Sequence, residues 1–198
     1  MRVASMENSE TCQIEILVTP VTGLPGPAEA ELCGLLRQTV ASRLILTAHP
    51  RTLITLSVYV QSDDGGVGAL AVNAAMLALV NARVPMKSLV SAVTLGLYRG
   101  ALEEVVTVLD VEADEEREAY SHLLAVYTAE EIREGGAPTA LTMRGGLSEQ
   151  QLRASLEATR VAAASVLERM RRALKEDVLS DAKTSFSTTL TNLPMIKT

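Results

Sequence analysis

The sequence has no tryptophan and one phenylalanine, and aromatic residues make up 3% of it. Flat rings on which successive nucleobases could stack are scarce, which argues against a nucleic-acid surface built on stacking. Cysteine is nearly as sparse, with Cys12 and Cys33 the only two in 198 residues. They fall in a strand-like and a helix-like pattern and form no closely spaced framework, so a reducing compartment is expected. Positive charge is also short. Eighteen Lys and Arg face 24 Asp and Glu, a formal net charge of −6. A free-standing nucleic-acid binder gains much of its affinity from cations on phosphates, so this balance argues against one, although other subunits could supply the positive field. The longest apolar-rich run, Ala69 to Val80, is too short to span a bilayer and holds Asn73. No basic segment followed by an apolar run opens the sequence, and no membrane partner is expected.

What is present suits one domain with a sizeable core, since 47% of residues are hydrophobic and 21% charged. Cys12 to Pro20 alternates, with Ile14, Ile16 and Val18 on one face, and reads as a half-buried strand. Ala28 to Leu46 repeats apolar residues at helical spacing, with Pro27 in a first-turn position. Residues 47–51 form a connector before a second strand, Thr52 to Gln61. Further strands are expected at Leu89–Tyr98, Val105–Leu109, Tyr120–Tyr127 and Thr139–Met143. Ser148 with Gln151 predicts a capping box opening a long helix to about Val178. Met1 to Thr11 reads as irregular, and 179–198, rich in Ser and Thr, as a mobile tail. These elements make an α+β or α/β layered domain over 1–178.

The stretch Ser62 to Val84 organises the rest. A Gly-rich turn, Asp63-Asp64-Gly65-Gly66-Val67-Gly68, follows a strand and opens an apolar helix that should be wrapped by protein on most sides. Such a turn points free N–H groups at a ligand and favours anions. A working phosphate site would also want a hydroxyl and an arginine there, and this turn offers two aspartates instead. The alternative is that the aspartates cap the helix and complement its positive end. The acidic run Asp110, Glu112, Asp114, Glu115, Glu116, Glu118 has two readings as well: carboxylates for Mg²⁺, or a solvated turn or first helical turn. His49 reads as a connector residue and His122 as lying on an exposed strand face. Neither has a second ligand at metal-like spacing or a serine in a nucleophile elbow, which argues against a covalent hydrolase.

Thr19-Pro20, Gly23-Leu24-Pro25-Gly26, His49-Pro50-Arg51-Thr52, Ser62-Asp63-Asp64-Gly65, Asn73-Ala74-Ala75 and Val84-Pro85-Met86-Lys87 occur in that order. With the run Val84 to Val93, Leu109-Asp110 and Glu116-Arg117-Glu118-Ala119, this ordered set resembles the ribonuclease PH family, and within it the ring subunits of the RNA exosome. The likeness covers roughly residues 13–178. It implies an α+β, ribonuclease PH-like fold of βαβα-type halves around layered sheets. Family members carry strands before the segment matching Cys12–Pro20, so the domain is expected to be shortened at its N-terminus. Without those strands the core sheet would present an edge needing a partner or a cover.

The resemblance also implies what the site should be. Active members place Gly-Gly-Thr-Arg at the turn, the Thr-Arg pair gripping phosphate, and the matching positions here are Gly66 and Val67. Phosphate binding is thus expected to be degenerate at Gly65, Gly66 and Val67. A Glu-Asp pair aligns with Ala113-Asp114, and an Asp six residues on aligns with Tyr120. Asp114 retains one carboxylate, and Glu118 could substitute only by a shift. An arginine near the start of the first helix in active members falls near Ala28. The expectation is therefore a non-catalytic ring subunit with no cofactor and no resident metal. Its partners would be paralogous ribonuclease PH-like subunits in a hexameric ring, with RNA contacted through the complex, in nucleus, nucleolus and cytoplasm. The alternative is a Mg²⁺-dependent or phosphorolytic exoribonuclease acting as a homodimer through Asp114, Asp110 and Glu118.

Overall fold

The computed structural model describes residues 11–100 and 105–191. The irregular start expected over residues 1–10 and the last seven residues, 192–198, lie outside the described residues. Strand β1 (Gln13–Thr19) turns Ile16 and Val18 inward and Glu15, Leu17 and Thr19 outward, as strict alternation demands. It pairs in parallel with β2 (Leu53–Tyr59), Gln13 opposite Leu53 and Thr19 opposite Tyr59. A parallel pair requires a crossover. Helix α1 (Pro27–Arg43) supplies it, burying Leu36, Thr39 and Val40. Its start is fixed by Pro27 and by the Gly26 amide, which donates to the Glu29 carboxylate at 2.7 Å. The helix ends at Arg43 rather than Leu46, because Leu44 adopts an extended conformation and bridges to Met86. A short 3₁₀ turn, Leu46–Ala48, leads into the connector.

Helix α2 (Val67–Asn81) buries Val72, Ala75, Met76 and Leu79 against β3 and α1. It is covered on most sides, as its apolar composition suggests, and open along the stripe of Leu70, Ala74 and Ala78; Leu70 is 69% exposed. Asn73, the one polar residue in its middle, brackets the backbone of Ala92. Its side-chain amide donates to the Ala92 carbonyl at 2.9 Å and its oxygen accepts from the Ala92 amide at 2.8 Å. The ladder between β3 and β4 begins only at Leu95, so Asn73 stands where a strand partner would otherwise satisfy these groups.

The second sheet is antiparallel in the order β4-β3-β5-β6, comprising β3 (Val90–Arg99), β4 (Val105–Leu109), β5 (Ser121–Thr128) and β6 (Ala140–Gly145). Strand β3 is buried continuously from Val90 to Leu97, with α2 and α5 packed against it. Two buried hydroxyls in this layer are satisfied by α5: Ser91 donates to the Ala163 carbonyl at 2.9 Å and Tyr127 to the Leu156 carbonyl at 3.0 Å. Two short helices complete the fold, α3 (Ala113–Glu118) within the acidic run and α4 (Ala129–Glu134). Helix α4 is opened by a reciprocal box between Thr128 and Glu131 and closed by Gly135 at φ +72°.

The closing helix α5 (Glu149–Thr191) begins with the expected box. The Ser148 amide donates to Gln151 at 2.9 Å and the Gln151 amide to the Ser148 hydroxyl at 3.3 Å. Ala163, Leu167 and Met170 are its buried stripe. Its backbone continues to Thr191, past the tail boundary expected at Leu179. Residues 179–191 contain no Pro or Gly to stop a helix already nucleated upstream. A parallel pair and an antiparallel sheet with packed helices make the architecture α+β. Among the described residues no helix is long and apolar enough to cross a membrane.

Candidate functional site

The Gly-rich turn runs from the end of β2 into α2. Gly65 and Gly66 both take left-handed backbone, φ +90° and +63°, which glycine alone adopts at little cost. A Cβ on Gly65 would lie 2.5 Å from the Val111 carbonyl oxygen and 2.7 Å from the Ala113 nitrogen. The close backbone approach permitted by glycine is thus taken up by the chain's own 110–113 loop. The Ala113 amide donates to the Asp64 carbonyl at 2.9 Å and locks that loop in place.

The aspartates do not cap α2, contrary to the expectation from sequence. Gly66 occupies the cap position with no side-chain hydrogen bond, and Asp63 accepts from the Gly65 amide within the turn at 3.2 Å. The two successive left-handed glycines turn the chain between these carboxylates and the first helical amides. Val67 is the first helical residue. At Gly68 a Cβ would stand 2.6 Å from Leu124 Cδ1, so this glycine lets α2 rest on β5.

The acidic run ends β4 and forms α3. Asp110 has φ +59°, and its carboxylate lies 3.7 Å from where a Cβ on Gly66 would be. Asp114 points to solvent and pairs with Arg117 at 3.0 Å. Glu118 is exposed near the end of the same helix. Asp110, Asp114 and Glu118 therefore form no cation-binding group, and among the described residues no three His, Cys, Asp or Glu come together in a way that could hold a metal ion. Tyr120 lies under the Arg99 guanidinium, 5.3 Å from ring centre, with its hydroxyl bonded to Gln151 at 3.3 Å.

Sequence reasoning missed a cleft of about 520 Å³ between the α1–β1 layer and the second sheet. Ala28, Gly66 and Val67 line it, as do Thr94, Glu116, His122 and Arg144. His122 is not on an exposed face. Its side chain is 17% exposed, and the Nε2 atom sits 3.9 Å from Glu116 Oε1, too far for a hydrogen bond. Burial pushes its imidazole below the ordinary value of 6.5; Glu116 opposes that shift and Arg144 adds to it. Thr94 is 2% exposed, and its Oγ1, like His122 Nε2, has no hydrogen-bond partner. Arg144 is paired with Glu31 across the cleft mouth. The residues six apart that reach the cleft are thus Glu116 and His122, where the resemblance aligned Asp114 and Tyr120. The only trace of this in the sequence is one histidine interrupting a strand of small and apolar residues.

Comparison with known proteins agrees with this architecture. Residues 3–85 match the 3' exoribonuclease family, domain 1. The "Exosome complex exonuclease RRP46 homolog" of Oryza sativa is 31% identical over 188 residues, covering 88% of this chain and 77% of that protein. The Arabidopsis thaliana protein of the same description is 33% identical over 136 residues, 68% of this chain and 55% of that one. "Exosome complex component Rrp41" of Thermococcus onnurineus is 33% identical over 164 residues, 80% of this chain and 61% of that one. Among solved structures, rice Rrp46 superposes with a TM-score of 0.77 at 29% identity, over 87% of this chain and 78% of that one. With its α+β layers, its Gly-rich turn before a buried helix and these relatives, the chain belongs to the ribonuclease PH family.

Proposed function

We propose that this chain is a non-catalytic structural subunit of an exosome-type ring, assembling with paralogous ribonuclease PH-like subunits and supporting 3'-to-5' RNA processing by associated nucleases. The carrying observation is the turn: Gly65 lies against the backbone of residues 111–113, and Gly66 and Val67 bring neither hydroxyl nor cation. A phosphate placed there would have amides but no side-chain grip. Similarity to proteins described as RRP46 homologs and Rrp41 supports the exosome assignment.

Exposed apolar surface supports assembly. Leu17, Leu53 and Tyr59 stand on the outer face of the two-stranded sheet, and Val105, Val106 and Leu109 on edge strand β4. Work in nucleus, nucleolus and cytoplasm belongs to the same proposal. Capture of the tagged chain from its native cells, with identification of co-purifying proteins, tests it. Recovery of ribonuclease PH-like paralogues in fixed ratio is expected, and recovery of the chain without them would overturn it. The rival reading, a Mg²⁺-dependent or phosphorolytic homodimer, shares the cleft but lacks convergence of Asp110, Asp114 and Glu118.

A further inference from the structure

We infer that the cleft beside α2 is a binding site for an aliphatic polyammonium cation of the spermidine class. Its charge has the wrong sign for an anion. Glu29, Glu31, Asp63 and Glu116 line it, and Arg144, the one guanidinium among the lining residues, is already paired with Glu31. Burial disfavours a charge on His122. The positive end of α2 is worth about half a charge and is outweighed by these carboxylates.

A second, independent observation points to a donor-bearing ligand. Thr94 Oγ1 and His122 Nε2 are buried polar atoms without partners in the cleft lining. Leaving such atoms unmet is costly. A threonine hydroxyl and a neutral imidazole nitrogen both accept hydrogen bonds, and an ammonium group donates up to three while carrying the charge that Glu116 attracts. Beside Gln38 and Thr142, the wall has an apolar stretch of Val18, Leu32, Leu35 and Leu124 that suits methylene segments between amino groups. A volume of about 520 Å³ is that of a small-molecule site. This site goes beyond the ring-subunit role and stands or falls separately from it.

The test is calorimetric titration of the full chain at pH 7.5 and low salt with spermidine, inorganic phosphate or adenosine monophosphate, with the His122 imidazole followed by NMR. Saturable 1:1 spermidine binding that moves the His122 signals is expected. Glu116→Gln should weaken it about fivefold, as loss of a half-buried charge pair does. Thr94→Val should weaken it as well, while Glu134→Gln, outside the cleft lining, should not. Circular dichroism checks that each variant is folded. Non-saturable binding, unmoved His122 signals, equal affinity in Glu116→Gln, or preference for phosphate or the nucleotide would overturn the inference. Should Thr94→Val fail to fold, Glu116→Gln and the His122 signals decide the outcome alone.

Discussion

The two sheets of this molecule bury their strands very differently. In the antiparallel sheet, β3 and β5 are covered on both faces, by α2 and α5, and almost every residue from Val90 to Leu97 and from Leu123 to Tyr127 is inaccessible. In the parallel pair only one face is covered: Ile16, Val18 and Leu56 point at α1 and α2, while Leu53 and Tyr59 on the other face are 54% and 70% exposed. The antiparallel sheet is a finished core and the parallel pair a half-finished one. Fold stability should therefore reside in β3 and β5, and assembly in the pair formed by β1 and β2.

The largest expected effect breaks that comparison most directly. Leu123→Ala, in a side chain with no exposure, should cost about 2–5 kcal/mol by urea denaturation. Leu53→Ala should stay within about 0.5 kcal/mol. Equal costs would remove the distinction between the sheets. Next comes Gly65→Ala, which places a Cβ against the 111–113 backbone at φ +90° and should cost about 1–3 kcal/mol in the same measurement. A neutral result would mean that the loop from β4 to α3 is not docked on the turn.

The smallest effect is one of pH. The folded protein holds the His122 proton more weakly than the ordinary value of 6.5, so below that pH the unfolded chain binds more protons. The stability this contributes is complete above pH 6.5 and is lost as pH falls through the lowered folded value. The Tm should accordingly drop more steeply between pH 7 and pH 5 in the wild type than in His122→Gln.

The same contrast explains what was legible in the sequence. Both strands of the parallel pair could be read from alternation, because one wet face leaves a period of two, and the strands of the second sheet from their apolar content. The capping box at Ser148 and Gln151 is a local signal and was equally readable. Helix α4 was missed because six residues give no periodicity, although Thr128 and Glu131 carry a box of their own. The aspartate cap was misread because the left-handed backbone at Gly65 and Gly66, which decides where those carboxylates point, depends on the 110–113 loop docking from elsewhere. The cleft could not be read at all. Thr94, Glu116, His122 and Arg144 come from four separate elements, and only tertiary packing brings them to one wall.

The central claim is that the turn before α2 has become a structural joint and no longer grips phosphate. The most direct test incubates the purified chain with uniformly labelled RNA, Mg²⁺ and inorganic phosphate, and follows RNA shortening and nucleoside diphosphate release. The account predicts no phosphate-dependent shortening of the RNA. Robust release that requires inorganic phosphate would contradict it.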